Sequence, residues 1–389
     1  MHPGLTENGN VAETTPDAQV VEAVELTLVP ELGGAAVRRL LQACGEIPRI
    51  FAMDASRIAA FGVPPGAAEA LKSRHYRPLS EEICDWCRRE GCRLLVRGSG
   101  GFPALLGEIY DPPLVLYASG DLKALEAPAL AVVGTRRPTP YGLQMAEGLA
   151  CDLAQRGVAV VSGLARGIDA AAHRGCLEAG GRTIAVLGNG IDVVYPREHR
   201  RLTGRIRERG LLLSEFPPGT SPAPQNFPIR NRIISGLSLG TLIVEASEYS
   251  GSLITGRLAM EQNRELFALP GNITTPQSFG PNFLLKQGAK LVQSWRDIVE
   301  EFPPDLRCSI LGRESQRREP SPSLELLDAE ERKVLGLLQA DRAAQFDRIL
   351  ALSGVNISKV SDALLNLEMR GWIRQLPGGL YVKRASPPE

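Results

Sequence analysis

From residue 93 onward, short uninterrupted apolar runs alternate with longer stretches in which apolar residues recur every three or four positions. The runs are LLV (94–96), LVLYA (114–118), ALAVVG (129–134), VAVVSG (158–163), TIAVLG (183–188), LLLSEF (211–216), TLIVEA (241–246) and LFALPG (266–271). Between most of the later ones lie helical stretches such as YGLQMAEGLACDLAQRG and SLITGRLAMEQNR. Strands that are apolar on both faces need cover on both. The alternation therefore predicts an α/β fold, an extended Rossmann-like, doubly wound, mainly parallel sheet over 93–302.

The pattern differs on either side. Upstream, LTLVPELGGAAVRRLLQACG (26–45) and IAAFGVPPGAAEALKS (58–73) each join a glycine turn to an amphipathic helix. They predict a small N-terminal helical domain, helix-hairpin-helix or SAM-like, over 20–90. Few basic residues flank the turns, so these read as connectors and not as phosphate contacts. Residues 1–19 lack a basic region followed by an apolar core; they read as a disordered leader, not a signal peptide. Downstream, 303–327 is rich in proline, serine and charge without periodicity and reads as a linker. Three amphipathic helices and two strands around a Pro-Gly-Gly turn then predict a winged-helix domain over 328–386.

Composition narrows the function. The chain of 389 residues is 43% hydrophobic, enough for several cores. No apolar run approaches the roughly 18–20 residues of a membrane span, so no membrane association is expected and the cytoplasm is the expected compartment. The formal net charge is zero. A protein that coats DNA by bulk charge is excluded, and any nucleic-acid site must be a local patch, such as Arg136–Arg137, Arg197 to Arg209, or Arg230 and Arg232. The seven cysteines, odd in number and scattered, read as free thiols. Cys84, Cys87 and Cys92, with His75 upstream, have the ligand count of a zinc site. Without a second C-x-x-C pair they read better as buried thiols, and no metal or cofactor is expected.

In a doubly wound sheet, ligands bind outside the carboxyl ends of the strands. The loops there are GTRRPTPYG (134–142), SGLARGID (162–169), GNGID (188–192), EFPPGT (215–220), EASEYSGS (245–252) and PGN (270–272). Nearly all bring glycine, serine or threonine to a helix N-terminus, where free N–H groups favour anions. The first loop is not G-x-G-x-x-G, and no carboxylate ends the second strand, which disfavours a dinucleotide. A P-loop is absent. Asp169 and His173 share a helix face as a dyad would, but no nucleophile motif or metal constellation accompanies them; Asp169 reads as a helix-start residue and His173 as packing. What remains is cationic and hydrogen-bonding. Arg136, Arg166, Arg230 and Arg232 suit phosphate oxygens, Asn226, Asn231, Ser162 and Ser235 add neutral bonds, and Phe227 and Tyr141 offer flat faces.

VVGTRRPTPYG, VVSGLARGIDAAAHRGCLEAGGRTIAVLGNGIDVVYPREHRRL, SEFPPGTSPAPQNFPIRNRIISGLSLGTLIVEASEYSGSLITGRLAMEQNRELFALPGN and FGPNFLLKQGAKLV closely resemble the DprA (DNA-processing protein A, Smf) family over roughly residues 105–300. The resemblance implies a bacterial cytoplasmic homodimer that binds single-stranded DNA in its Rossmann domain. It further implies a mediator, not an enzyme, which loads RecA onto DNA during natural transformation and recombination. The family's first motif falls on Gly134, Thr135 and Arg136, with threonine where serine is commoner. Its second falls on Ser162, Gly163, Arg166, Gly167 and Asp169, and its N-F-P-x-R-N-R motif is intact from Asn226 to Arg232. The candidate DNA-binding set is Gly134, Thr135, Arg136, Arg137, Thr139, Ser162, Gly163, Arg166, Gly167, Asn226, Phe227, Arg230, Asn231 and Arg232. The resemblance places the dimer and RecA surfaces at the C-terminal edge of the Rossmann domain.

Two other functions compete. A LOG-type nucleotide phosphoribohydrolase would carry P-G-G-x-G-T-x-x-E where this chain reads EASEYSGSLIT. A nucleotide-sensing winged-helix regulator would need a cationic recognition helix. The candidate one, NISKVSDALLNLEMRG, sets Lys359 and Arg370 against Asp362 and Glu368, which predicts a protein-contact or regulatory role with little duplex binding.

Overall fold

A computed structural model describes residues 18–314, 327–340, 342–376 and 378–384. The chain divides into two compact units, Met1–Gly100 with Pro113–Val115 and Gly101–Pro112 with Leu116–Glu389.

The first unit holds helices α1 (Ala18–Leu28), α2 (Gly34–Cys44), α3 (Ile47–Phe51), α4 (Ala55–Ala59), α5 (Pro65–Lys72) and α6 (Arg77–Arg89), and strand β1 (Arg93–Val96). Leu26, Leu40, Ile50, Ile58 and Leu71 are fully buried at its centre. Ala18 and Gln19, read as the end of a leader, are already helical; the rest of that segment lies outside the described residues. Of the turn-proximal cations, Arg39 donates to the Phe61 carbonyl at 2.8 Å. Cys84, Cys87 and Cys92 are buried. Burial pushes the Cys84 thiol up to about 11, and a bond to Cys92 together with burial raises Cys87 further.

The second unit begins with α7 (Ala104–Gly107) and then follows the predicted alternation. Strands β2 (Val115–Gly120), β3 (Ala129–Val133), β4 (Ala159–Ser162), β5 (Thr183–Leu187), β6 (Leu211–Ser214), β7 (Gly240–Ile243), β8 (Glu265–Ala268) and β9 (Lys290–Leu291) line up in the order β2-β6-β5-β4-β3-β7-β8-β9. All of these neighbours pair in parallel except β2 with β6. The connecting helices are α8 (Pro140–Gln155), α9 (Ile168–Glu178), α10 (Arg200–Arg209), α11 (Asn226–Gly236) and α12 (Gly251–Glu261). From β3 the chain winds outward to β6, then returns to β7 on the other side of β3 and winds the opposite way. Right-handed crossovers put helices on both faces, and the reversal between β3 and β7 opens a crevice at the carboxyl rim. Strands β3 and β5 are buried at every residue, as their unbroken apolar runs require.

Beyond β8 lie α13 (Phe279–Lys286), α14 (Trp295–Val299) and α15 (Pro304–Glu314). Two departures from the sequence reading occur here. The two-residue strand β9 extends the sheet beyond the eight predicted runs. Nearly half of the segment read as a linker is helix α15, whose Ile310 is 2% exposed and packs into the sheet's core with Phe302. One buried anchor is enough to order a stretch whose composition reads as linker. Residues 315–326 lie outside the described residues.

The winged-helix fold follows as α16 (Ala329–Leu337), β10 (Ala344–Gln345), α17 (Phe346–Ser353), α18 (Ile357–Met369), β11 (Ile373–Leu376) and β12 (Leu380–Lys383), with strands in the order β10-β12-β11. Val334, Ile349, Val360, Leu367, Trp372 and Ile373 form its own core.

Candidate nucleic-acid interface

Six loops at the carboxyl rim converge on one open groove of about 740 Å³. The loop after β3 supplies Gly134 to Arg137, that after β4 Ala165, that after β5 Tyr195, and that after β6 Pro222 and Pro224. Helix α11 adds Phe227 and Asn231, the loop after β7 adds Ser247 and Ser250, and the one after β8 adds Gln277. A cleft of about 50 Å³ adjoins it, lined by Arg136, Gly163, Arg166, Asn189, Tyr195 and Phe227.

Within the groove, the Arg136 guanidinium lies 5.3 Å from the Phe227 ring centre. Tyr195 is 39% exposed, and its ring centre lies 5.8 Å from that of Phe227 at an interplanar angle of 30°. Neither Arg136 nor Arg137 pairs with a carboxylate among the described residues, so two exposed guanidinium groups line a groove that also holds the Phe227 and Tyr195 rings. Arg166 is also exposed, in a surface pair with Glu198 that a phosphate can displace at little cost. Sequence reasoning missed Tyr195; its signal was its place after β5, on the same rim as the other loops.

The remaining candidates bond within the protein, although Arg230 also lines both the groove and the adjoining cleft. Arg230 is 4% exposed, and its Nη1 donates to the carbonyls of Gly163, at 2.7 Å, and Val186. Burial pulls its pKa down to about 10, so it stays charged at neutral pH. Asp169 is held beneath it, accepting from the Gly163 N–H at 3.1 Å, and burial raises its carboxyl against the pull of Arg230. A Cβ at Gly163 would overlap the Arg230 guanidinium, so this glycine makes room for that arginine. Arg232 Nη2 donates to both Glu215 oxygens at 2.6 and 2.7 Å, and its Nε lies 3.5 Å from Asp111. Thus two of the four arginines expected on phosphates are engaged by groups of the protein itself, Arg230 by carbonyls and Arg232 by carboxylates.

Ser162 is fully buried, its hydroxyl donating to Val132 O at 2.7 Å. Thr139 caps α8, and Glu245, buried at the end of β7, accepts from its N–H at 2.8 Å. Asn226, 9% exposed, opens α11 without lining the groove. Gly167, at φ 79°, packs against Thr135 O and Pro138, joining the first two loops. Ser235 bonds back to its own helix at 3.3 Å, and the Tyr141 hydroxyl donates to Pro270 O at 3.3 Å. Both lie outside the groove lining. The set therefore divides into a face open to the groove or its cleft (Gly134, Thr135, Arg136, Arg137, Arg166, Phe227, Asn231) and a frame of residues bonded within the protein, of which Arg230 still borders the groove.

His173 belongs to the frame. Thr183 Oγ1 gives its proton to Val160 O at 2.7 Å, so at 2.7 Å from the ring it accepts from Nδ1–H. Burial, with the positive charges of His199, Arg230 and Arg174, drives the imidazole from 6.5 down to about 3. A depressed histidine contributes stability that is whole above its unfolded value and lost as pH falls. Below pH 6.5 this group is expected to cost about 1.4 kcal/mol per pH unit. His173→Gln should lack that slope in urea denaturation at pH 4.5–7; parallel curves for both proteins would refute this role.

The model of the family described as DNA recombination-mediator protein A matches residues 93–303, and that of the DprA winged helix domain matches residues 318–379. Protein Smf of Escherichia coli (strain K12) is 39% identical over 338 residues, 85% of this chain and 87% of that protein. DNA processing protein DprA of Bacillus subtilis (strain 168) is 44% identical over 239 residues, 61% of this chain and 80% of that one. The crystal structure of DNA processing protein A from Streptococcus pneumoniae matches with a TM-score of 0.65 at 35% identity, covering 73% of this chain and 98% of that one.

Proposed function

The chain belongs to the DNA recombination-mediator protein A (DprA/Smf) family, and from that premise we propose that its rim groove binds single-stranded DNA and hands the strand to a RecA-type recombinase. The observation that carries this reading is the pairing of Arg136 and Arg137, without carboxylate partners among the described residues, with the faces of Phe227 and Tyr195. Cations that track phosphates beside aromatic platforms for bases suit an unpaired strand, whose bases are free to stack. The role is a binding one: Asp169 is committed to the Gly163 amide and His173 to Thr183. The homodimer that the family implies would use the C-terminal edge of the sheet. There Phe279 and Phe283 stack at 6.1 Å and stand 47% and 45% exposed, and Leu291 on the edge strand is 44% exposed.

Salt-titrated binding of labelled oligonucleotides tests the proposal. Single strands are expected to bind more tightly than duplex of the same length, with affinity falling as salt rises. Equal affinity for both forms would sink it.

The winged-helix domain is assigned to protein contact. Lys359 pairs with Glu330 at 2.6 Å and Arg370 with Glu331 at 3.2 Å, which neutralises the cation of α18 and the one at its C-cap. Ile357, Leu365 and Met369 are 61%, 57% and 78% exposed along the same helix. The segment 319–389 alone is expected to bind duplex far more weakly than the full chain binds a single strand; comparable affinities would refute this.

A further inference from the structure

The groove accounts for Arg136 and Arg137 but not for the densest run of positive charge in the chain. Six arginines fall between positions 197 and 209, and all are exposed. Elsewhere arginines such as Arg74, Arg174, Arg182, Arg232 and Arg264 pair with carboxylates. Among the described residues, none of these six does. Helix α10 buries Leu202, Thr203 and Ile206. At 100° per residue, Arg201, Arg205 and Arg209 then follow one flank of its outer face and Arg200 and Arg207 the other, with Gly204 and the single carboxylate of the helix, Glu208, between them.

Two features of this helix act against its own stability. Arg201 with Arg205 and Arg205 with Arg209 are like charges four residues apart, which disfavours a helix. Gly204 sits in mid-helix, where glycine is a poor former, yet a Cβ there would meet nothing within 4 Å. Packing requires neither. A surface on which a polyanion lies requires both: positive charge in excess, and a low point where its backbone comes close.

The helix is joined to the groove. Tyr195 lines the groove and is followed by a turn of 3-10 helix, Arg197–His199, that leads into α10. In that turn, Glu198 pairs with Arg166 and the His199 ring bonds Leu164 O at 3.0 Å, tying the start of α10 to the loop after β4. Because β5 and β6 are parallel, α10 runs from the carboxyl rim back along the flank of the domain. Its ten residues span about 15 Å, and side chains four apart are separated by about 6 Å along the axis. That repeat is commensurate with the phosphates of an extended strand.

We propose that α10 is a second phosphate track, along which a single strand leaving the groove past Tyr195 continues down the flank of the α/β domain. The proposal rests on the groove reading, and the test separates the two. Full-length protein is titrated with oligothymidylates of about 6 and about 20 nucleotides, the short one filling the groove alone. The variant R201Q/R205Q/R209Q is expected to bind the short strand as wild type does. It should bind the long one roughly 10–100-fold more weakly at low salt, with a log–log salt slope shallower by about 2. Gly204→Leu should weaken the long strand alone while leaving the slope unchanged. R136A/R137A should weaken both lengths.

Wild-type affinity and slope for the long strand in the triple variant would overturn the track. So would an unchanged long-strand affinity accompanied by lost binding of poly-glutamate, which would assign α10 to an acidic protein. If R136A/R137A leaves both lengths unaffected, the groove reading itself fails, and with it the continuity claimed for α10.

Discussion

Replacing Arg136 and Arg137 together by alanine is expected to lower single-strand affinity by roughly 10–100-fold near physiological salt and to flatten the log–log salt slope by about 1.4, that is, about 0.7 for each phosphate of a single strand that is no longer neutralised. Both side chains stand at the groove without a carboxylate partner among the described residues, so their removal leaves no buried charge unpaired and the melting temperature should not move. Phe227→Ala provides the contrast. A missing stacking platform costs about 1–3 kcal/mol of binding and carries no counter-ion, so affinity should fall while the slope stays. A double arginine variant with unchanged slope would mean that these guanidinium groups do not meet phosphate. Arg166 is a weaker version of the same case, since its pair with Glu198 already satisfies part of its charge.

Arg230→Ala is expected to act on the fold. The guanidinium is the donor for the buried carbonyls of Gly163 and Val186 and the compensating charge for Asp169. Its loss leaves two buried acceptors and a carboxylate uncompensated just beneath the groove, worth about 3–5 kcal/mol of stability. Gly163→Ala should reproduce a smaller loss, about 1–3 kcal/mol, because its methyl would displace the same guanidinium. Urea denaturation of both variants gives the measurement. If Arg230→Ala unfolds at the wild-type midpoint yet loses DNA affinity, Arg230 is a phosphate ligand after all and the division between face and frame is wrong.

That division shows where reading the chain succeeds. The eight apolar runs became β1 to β8 because a strand buried on both faces has no polar position to spend, and that constraint is written residue by residue. The rim loops followed from the alternation alone, since carboxyl ends of parallel strands share one side of a sheet. Strand β9 escaped because two residues carry no periodicity. Helix α15 escaped because a single anchor, Ile310, orders a segment whose composition is that of a linker.

The N-F-P-x-R-N-R stretch marks the limit more sharply. As sequence, Arg230 and Arg232 are equivalent cations beside Asn231, and both suit phosphate. On α11 they diverge. The helical period puts Phe227, Arg230, Asn231 and Ile234 toward the groove and turns Arg232 to Glu215 and Asp111. Arg230, although on the groove side, is buried beneath its surface by carbonyls 67 and 44 residues away.

By itself, then, the sequence determined the class of fold, the rim where a ligand must bind, and the family to which the motifs belong. These depend on local periodicity and on residues adjacent in the chain. Only the tertiary structure decided which guanidinium groups stay open to the groove and which are taken up by the protein. Whether a charged side chain faces solvent or a buried carbonyl depends on what packs over it, and the groups that cover Arg230 and Arg232 arrive from strands and loops far along the chain.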